Sequence, residues 1–249
     1  MRILLTAVGS DVGKVRESNE DHVYLSEQYP NGSYIAIVAD GMGGHLAGEI
    51  ASKTAVETIY QELHPYVTKA RSISELKGVL EEAIEKANTV VYQTSINDER
   101  YRGMGTTVVA AIVNEEGILL GHIGDSRAYL IDQEKIQQLT SDHSLVNELV
   151  KSGQISEEDA INHPRKNILT RALGTDESVK LDMNLIPWKK GQTLLLCSDG
   201  LTNEVSDEKI FELVNLNPEN PNEIVKQLID QANQAEGKDN ISVILIHHG

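Results

Sequence analysis

The chain has 249 residues, 40% of them apolar and only 4% aromatic, so Val, Ile, Leu and Ala must fill a core sized for one large β-rich domain. A net charge of −16 excludes a surface for nucleic acid or anionic lipid, and suits a protein that carries bound cations. A single cysteine, Cys197, excludes an internal disulfide and a zinc knuckle. No apolar run reaches membrane-spanning length, and Ile3-Leu4-Leu5 is too short for a signal peptide, so a cytoplasmic protein is expected.

In chain order, strands are expected near 3–8, 22–27 and 34–39. Helical spacing of Ala47, Ile50, Ala51, Ala55, Ile59 and Leu63 predicts a helix over 47–63. A second helix is expected over 73–96, capped by Ser72 or Ser74. Strands follow at 105–113, 117–124, 127–131 and 135–139, joined by hairpin turns at Asn114-Glu115-Glu116-Gly117 and Asp132-Gln133-Glu134. The strand pattern lapses over 141–176, which reads as short helices and loop. Strands return at 182–187 and 192–198, then helices at 206–214 and 221–234, then a strand at 241–247. Paired helices between strand blocks predict an α+β fold of two antiparallel sheets with helices packed outside. No repeat or linker divides residues 1–249.

Five aspartates punctuate these strands. Asp40 closes Ile35-Ala36-Ile37-Val38-Ala39, and Asp199 closes Thr193-Leu194-Leu195-Leu196-Cys197-Ser198. Asp21 and Asp239 precede strands, and Asp125 follows one. Antiparallel pairing brings all five to one end of a sheet. Carboxylates packed that closely raise one another's pKa, and a hard divalent cation relieves them. Glycines 41, 43 and 44 allow close backbone approach, and the Gly41 carbonyl is itself a candidate ligand. A dinucleotide-binding loop at 41–48 is the disfavoured alternative, because Asp40 would face the pyrophosphate. Arg16 can place a guanidinium beside the cations to grip phosphate, or can form a plain surface ion pair. Gly105-Thr106-Thr107 reads as structural. Arg127 is expected to pair with an internal carboxylate.

Arg-x-x-Asn-x-Asp, Asp-Gly-x-Gly-Gly, Gly-Thr-Thr, Gly-Asp-Ser-Arg, Ser-Asp-Gly and Asp-Asn follow one another in this order over about 225 residues. In this the whole chain resembles the bacterial metal-dependent serine/threonine protein phosphatases, the PPM or type 2C family. The resemblance implies one catalytic domain over 1–249, a β-sandwich of two antiparallel sheets flanked by α-helices, and a flap over 141–176. It implies two Mn²⁺ or Mg²⁺ ions, with Asp40 bridging both, the Gly41 carbonyl on one, and Asp199 and Asp239 on the other. The resemblance also implies a third, weaker ion near Asp125, shared with Asp199. Asp21 matches an acid near the metal-bound waters, and Arg16 the phosphate-binding arginine. The implied reaction is hydrolysis of phosphoserine and phosphothreonine in proteins by a metal-bridging hydroxide, without a phosphoenzyme. Phosphoproteins, a Ser/Thr kinase among them, are the implied partners of a monomer that touches neither nucleic acid nor membrane. Where many eukaryotic relatives carry a histidine, this chain has Met42, leaving His45 or a metal-bound water as proton donor. His163, Arg165, Lys166 and Arg171 form a basic cluster expected to receive acidic phosphosubstrates. A family fold that binds phosphoproteins without cleaving them is the second reading.

Overall fold

The computed structural model describes residues 4–44, 46–70, 72–161 and 163–249. Strands that read as unbroken apolar runs need both faces covered, and here they have both. One sheet has the order β1 (Leu4–Asp11), β11 (Ile241–His248), β10 (Thr193–Cys197), β7 (Arg127–Ile131), β8 (Ile136–Gln138). The other runs β2 (Asp21–Leu25), β3 (Tyr34–Met42), β5 (Val108–Asn114), β6 (Gly117–Ile123), β9 (Asp182–Ile186), with short β4 (Gly105–Thr106) beside β3. All pairings are antiparallel.

Period-two alternation sorts the side chains into layers. Ala36 and Val38 of β3 meet Leu194, Leu196, Ile244 and Ile246 between the sheets. Ile35, Ile37 and Ala39 point the other way, onto α1 (Leu46–Val67) and α2 (Lys77–Asn97). Leu195, Cys197, Val243 and Leu245 face α6 (Asp207–Leu216) and α7 (Pro221–Ala235). The result is four layers, helix–sheet–sheet–helix, as the sequence predicts. Between β8 and β9 lie α3 (Leu145–Lys151) and α4 (Glu157–Ile161), while α5 (Asp199–Thr202) is a single turn after β10.

Two expectations shift. Neither Ser72 nor Ser74 caps α2, because Ile73–Leu76 forms a 3-10 turn first. The near three-residue period of that turn sets buried Ile73 and Leu76 on one side, toward the core. The strand expected over 105–113 breaks at Thr107, where hydrogen bonding passes from the β-ladder to the backbone of Asp40.

Candidate active site

Asp40 sits two residues from the end of β3, directly across from Asp21, the first residue of β2. Its peptide is clamped from the next strand. Thr107 N–H donates to the Asp40 carbonyl at 2.8 Å, Asp40 N–H donates to Thr107 Oγ1 at 3.0 Å, and Thr106 Oγ1 donates to the same carbonyl at 2.8 Å. The threonines are structural, as expected, and what they hold is the central acid. At Gly41 a Cβ would overlap the carbonyl of Gly48 in α1, so only glycine lets the helix start this close to the strand end.

Asp199 and Asp239 arrive at the same end from the second sheet. Asp199 opens α5, where its Oδ2 accepts from Asn203 Nδ2 at 2.9 Å. Asp239 precedes β11 and accepts from Arg16 Nη2 at 2.7 Å. Asp125 lies in the turn between β6 and β7. Asp21 Oδ2 accepts from Ser198 Oγ at 2.7 Å, which ties the two sheets together beneath the acids. Asp40, Gly41, Asp125, Asp199, Asp239 and Arg16 all line one cavity of about 500 Å³. Asp21 is buried behind that wall, and Glu20 takes the cavity position instead.

The electrostatics are unbalanced. Burial, then Asp21, Asp199, Asp125 and Asp239, pushes the Asp40 carboxyl well above the usual range. Burial raises Asp21 to about 7, with Asp199 and Asp239 adding to it against hydrogen bonds from Ser198 and Ser242. Burial and the charges of Asp199 and Asp142 raise Asp125 to about 8. Asp199 is raised too, by burial and by Asp239. Among the described residues, two buried carboxylate oxygens, Asp21 Oδ1 and Asp199 Oδ1, have no hydrogen-bond partner. An all-oxygen donor set, mutual repulsion and orphaned lone pairs together fit hard divalent cations.

Arg127 pairs internally as expected, gripping Asp142 with Nε at 3.0 and 3.1 Å and Nη2 at 2.7 Å. Cys197 is buried in β10 and its thiol is pushed up to about 12 by burial, which removes it as a nucleophile. His45 lies outside the described residues. The basic cluster of the 141–176 segment divides. Arg171 reaches the metal cavity, whereas Lys166 lines a neighbouring groove with Asp142, Glu157, Glu204, Asp207 and Glu208.

Sequence reasoning passed over Asn240. Its Oδ1 accepts from Glu20 N–H at 2.8 Å, and its Nδ2 donates to the carbonyls of Val12 and Ser18 at 2.9 Å each. One side chain thus pins the loop that carries Arg16 and Glu20 against the Asp239 turn. The Asp-Asn pair was the available signal.

Comparison with known proteins agrees with this geometry. The sequence pattern of the family described as Protein phosphatase 2C matches residues 8–242. The serine/threonine phosphatase stp of Listeria monocytogenes is 42% identical over 95% of this chain and 93% of its own length. Protein phosphatase PhpP of Streptococcus pneumoniae is 42% identical, over 95% of this chain and 94% of its own. The serine/threonine phosphatase of S. agalactiae superposes with a TM-score of 0.92 at 36% identity, covering 99% of this chain and all of that one. The catalytic domain of the serine/threonine protein phosphatase PstP, solved in complex with two manganese ions, superposes with a TM-score of 0.83 at 33% identity over 99% of both chains. Their shared pattern, and the cage of acids at one end of a helix-flanked β-sandwich, make this chain a member of the protein phosphatase 2C family, a divalent-metal-dependent serine/threonine protein phosphatase.

Proposed function

We propose that Asp40, Asp199 and Asp239, with the Gly41 carbonyl, hold two divalent cations, Mn²⁺ or Mg²⁺, and that Asp125 shares a third with Asp199. Asp21 supports the water structure around them from below. The observation that carries this reading is the pair of orphaned carboxylate oxygens, Asp21 Oδ1 and Asp199 Oδ1, in an acid cluster that opens on a cavity. Bound there, divalent ions would lower the pKa of water and offset phosphoryl charge.

The chain's own residues do the rest. Arg16 has a half-exposed guanidinium that is anchored, among the described residues, through Nη2, which leaves its other donors to take phosphoryl oxygens. Thr106 and Thr107 hold the Asp40 backbone still, so the central acid needs no rearrangement as charge builds on the transferred phosphoryl group. The leaving serine or threonine oxygen takes its proton from His45 or from water. His45→Ala separates these: nitrophenolate leaves without a proton, so only phosphothreonine hydrolysis should slow if His45 is the donor.

Residues 1–249 act as one catalytic unit, with 141–176 as a flap beside the cavity. The enzyme works as a monomer in the cytoplasm and reverses a bacterial Ser/Thr kinase. No described helix is long and apolar enough to cross a membrane. The test is phosphate release from a phosphothreonine peptide after EDTA treatment, then with Mn²⁺ or Mg²⁺ restored. Activity should vanish and return. Turnover that survives complete chelation would refute the metal assignment.

A further inference from the structure

The cavity wall carries a second guanidinium besides Arg16. Arg171 comes from the segment between α4 and β9. Its Nη1 donates to Asp182 Oδ1 at 3.0 Å and to the Lys180 carbonyl at 3.3 Å. Its Nε and Nη2 make no hydrogen bond among the described residues.

What fixes Arg171 is unusual in its reach. Asp182 Oδ2 faces His143 Nε2 at 3.4 Å, and His143 is 1% exposed. Gly124 N–H donates to His143 Nδ1 at 3.1 Å, and His143 N–H donates to the Gly124 carbonyl at 2.9 Å. Thr170 N–H donates to the His143 carbonyl at 2.8 Å. The His122 ring stacks on that of His143, with centroids 4.8 Å apart. One buried histidine is therefore bonded to the residue before Asp125 and to the residue before Arg171.

His122, His143 and Asp182 offer ligand atoms within 4.8 Å of one another, which invites a transition-metal reading. The hydrogen bonding argues against it. Gly124 N–H uses the Nδ1 lone pair of His143, so the ring proton sits on Nε2 and faces Asp182, leaving no lone pair there for a metal. Burial, then His122 and Arg171, hold the His143 pKa down to about 4, so the ring is neutral and carries that one proton at working pH.

We propose that Arg171 is a second phosphoryl-binding cation of the active site, aimed into the metal cavity by a brace of Asp182 and His143 that also holds the Asp125 turn. The proposal rests on the metal-site assignment above. A guanidinium fork can keep one carboxylate partner through Nη1 and still offer Nε and Nη2 to a phosphate, which an ammonium cannot do with the same geometry. Asp182 and His143 are positioning residues, since they act through Arg171.

The experiment compares wild type, Arg171→Met, Arg171→Lys and Asp182→Asn with saturating Mn²⁺. It reads kcat and KM on a phosphothreonine peptide, the inhibition constant of inorganic phosphate, and Mn²⁺ binding by calorimetry. Arg171→Met should raise both KM and the phosphate inhibition constant about tenfold, with a smaller fall in kcat and unchanged Mn²⁺ affinity. Arg171→Lys should recover part of that loss through charge alone. Asp182→Asn keeps the guanidinium but frees it, so a rise of about threefold in the same two constants is expected. An unchanged phosphate inhibition constant in Arg171→Met overturns the proposal. If Arg171→Met does not fold, the same result in Arg171→Lys overturns it. Failure of the metal assignment is read separately, from Asp40→Asn retaining wild-type Mn²⁺ affinity with Arg171 intact.

Discussion

The acid floor of the cavity and the brace beside it are both polar clusters within one protein wall, yet they solve burial in opposite ways. In the floor, burial first and neighbouring carboxylates second raise the pKa of Asp21, Asp40, Asp125 and Asp199, and two carboxylate oxygens go unpaired among the described residues. In the brace, burial works against the Asp182 carboxylate, but the hydrogen bond from Arg171 and the His143 ring 3.4 Å away outweigh it and hold its pKa below the usual value, even though His143 Nε2 makes no hydrogen bond among the described residues. One cluster balances its charge from within. The other is incomplete until cations arrive from outside. A buried charge is tolerated only when paired, so the floor must respond to metal and to pH in ways the brace does not.

The largest effect should come from Asp40→Asn. Turnover of p-nitrophenyl phosphate should fall on the order of a thousandfold, because the central ligand of the floor is lost. In the metal-free protein the same change should raise Tm, by about 2–4 °C for each kcal/mol of repulsion removed. Destabilisation of the metal-free protein would show that the acids do not crowd one another.

Metal removal and pH come next. Asp21 at about 7 and Asp125 at about 8 stand above an ordinary aspartate's 3.8, so the folded, metal-free protein binds more protons than the unfolded chain. The stability this confers is fully present below pH ~4 and is lost as pH rises through about 7 to 8. Thermal melts in EDTA should therefore show Tm falling across that window, and Mn²⁺ should restore more stability the higher the pH. His143 has the opposite sign. Its folded pKa of about 4 lies below an ordinary histidine's 6.5, so its contribution is present above about pH 6.5 and is lost as pH falls toward 4. NMR titration of the His143 ring should show no protonation near pH 6.

Arg16→Ala removes the guanidinium paired with Asp239 on the cavity wall. It should raise KM for a phosphothreonine peptide about tenfold and leave the Mn²⁺-dependent gain in Tm in place. The smallest effect belongs to Cys197→Ala, on the far side of the same sheet. A loss of about 1 kcal/mol in stability, with kcat and its Mn²⁺ dependence unchanged, is the expected result. Lost activity would revive a thiol chemistry that the buried strand position argues against.

Much of the floor was readable before folding was considered. Asp40, Asp199 and Asp239 stand at breaks between apolar runs and turns, and those breaks are local signals. The four layers were readable for a similar reason, since runs apolar at every position demand cover on both faces. The supports were not. Ser198 meets Asp21 across 177 residues, and Arg16 meets Asp239 across 223. Asn240 looks like an ordinary turn residue until the loop at 12–20 lies against it. Asp21 also shows the limit of the local signal: spacing finds the acid, but it is its neighbour Glu20 that lines the cavity, while Asp21 is buried against Ser198.

Residue types and their order along the chain determined that this protein would make alternating apolar layers and gather acids at their ends, because burial periodicity and strand-ending turns are properties of short stretches. Only the tertiary structure decided which carboxylate oxygens go without a partner, and which histidine joins the Asp125 turn to Arg171. Those depend on antiparallel register between distant strands, where a shift of one residue turns every side chain to the other face.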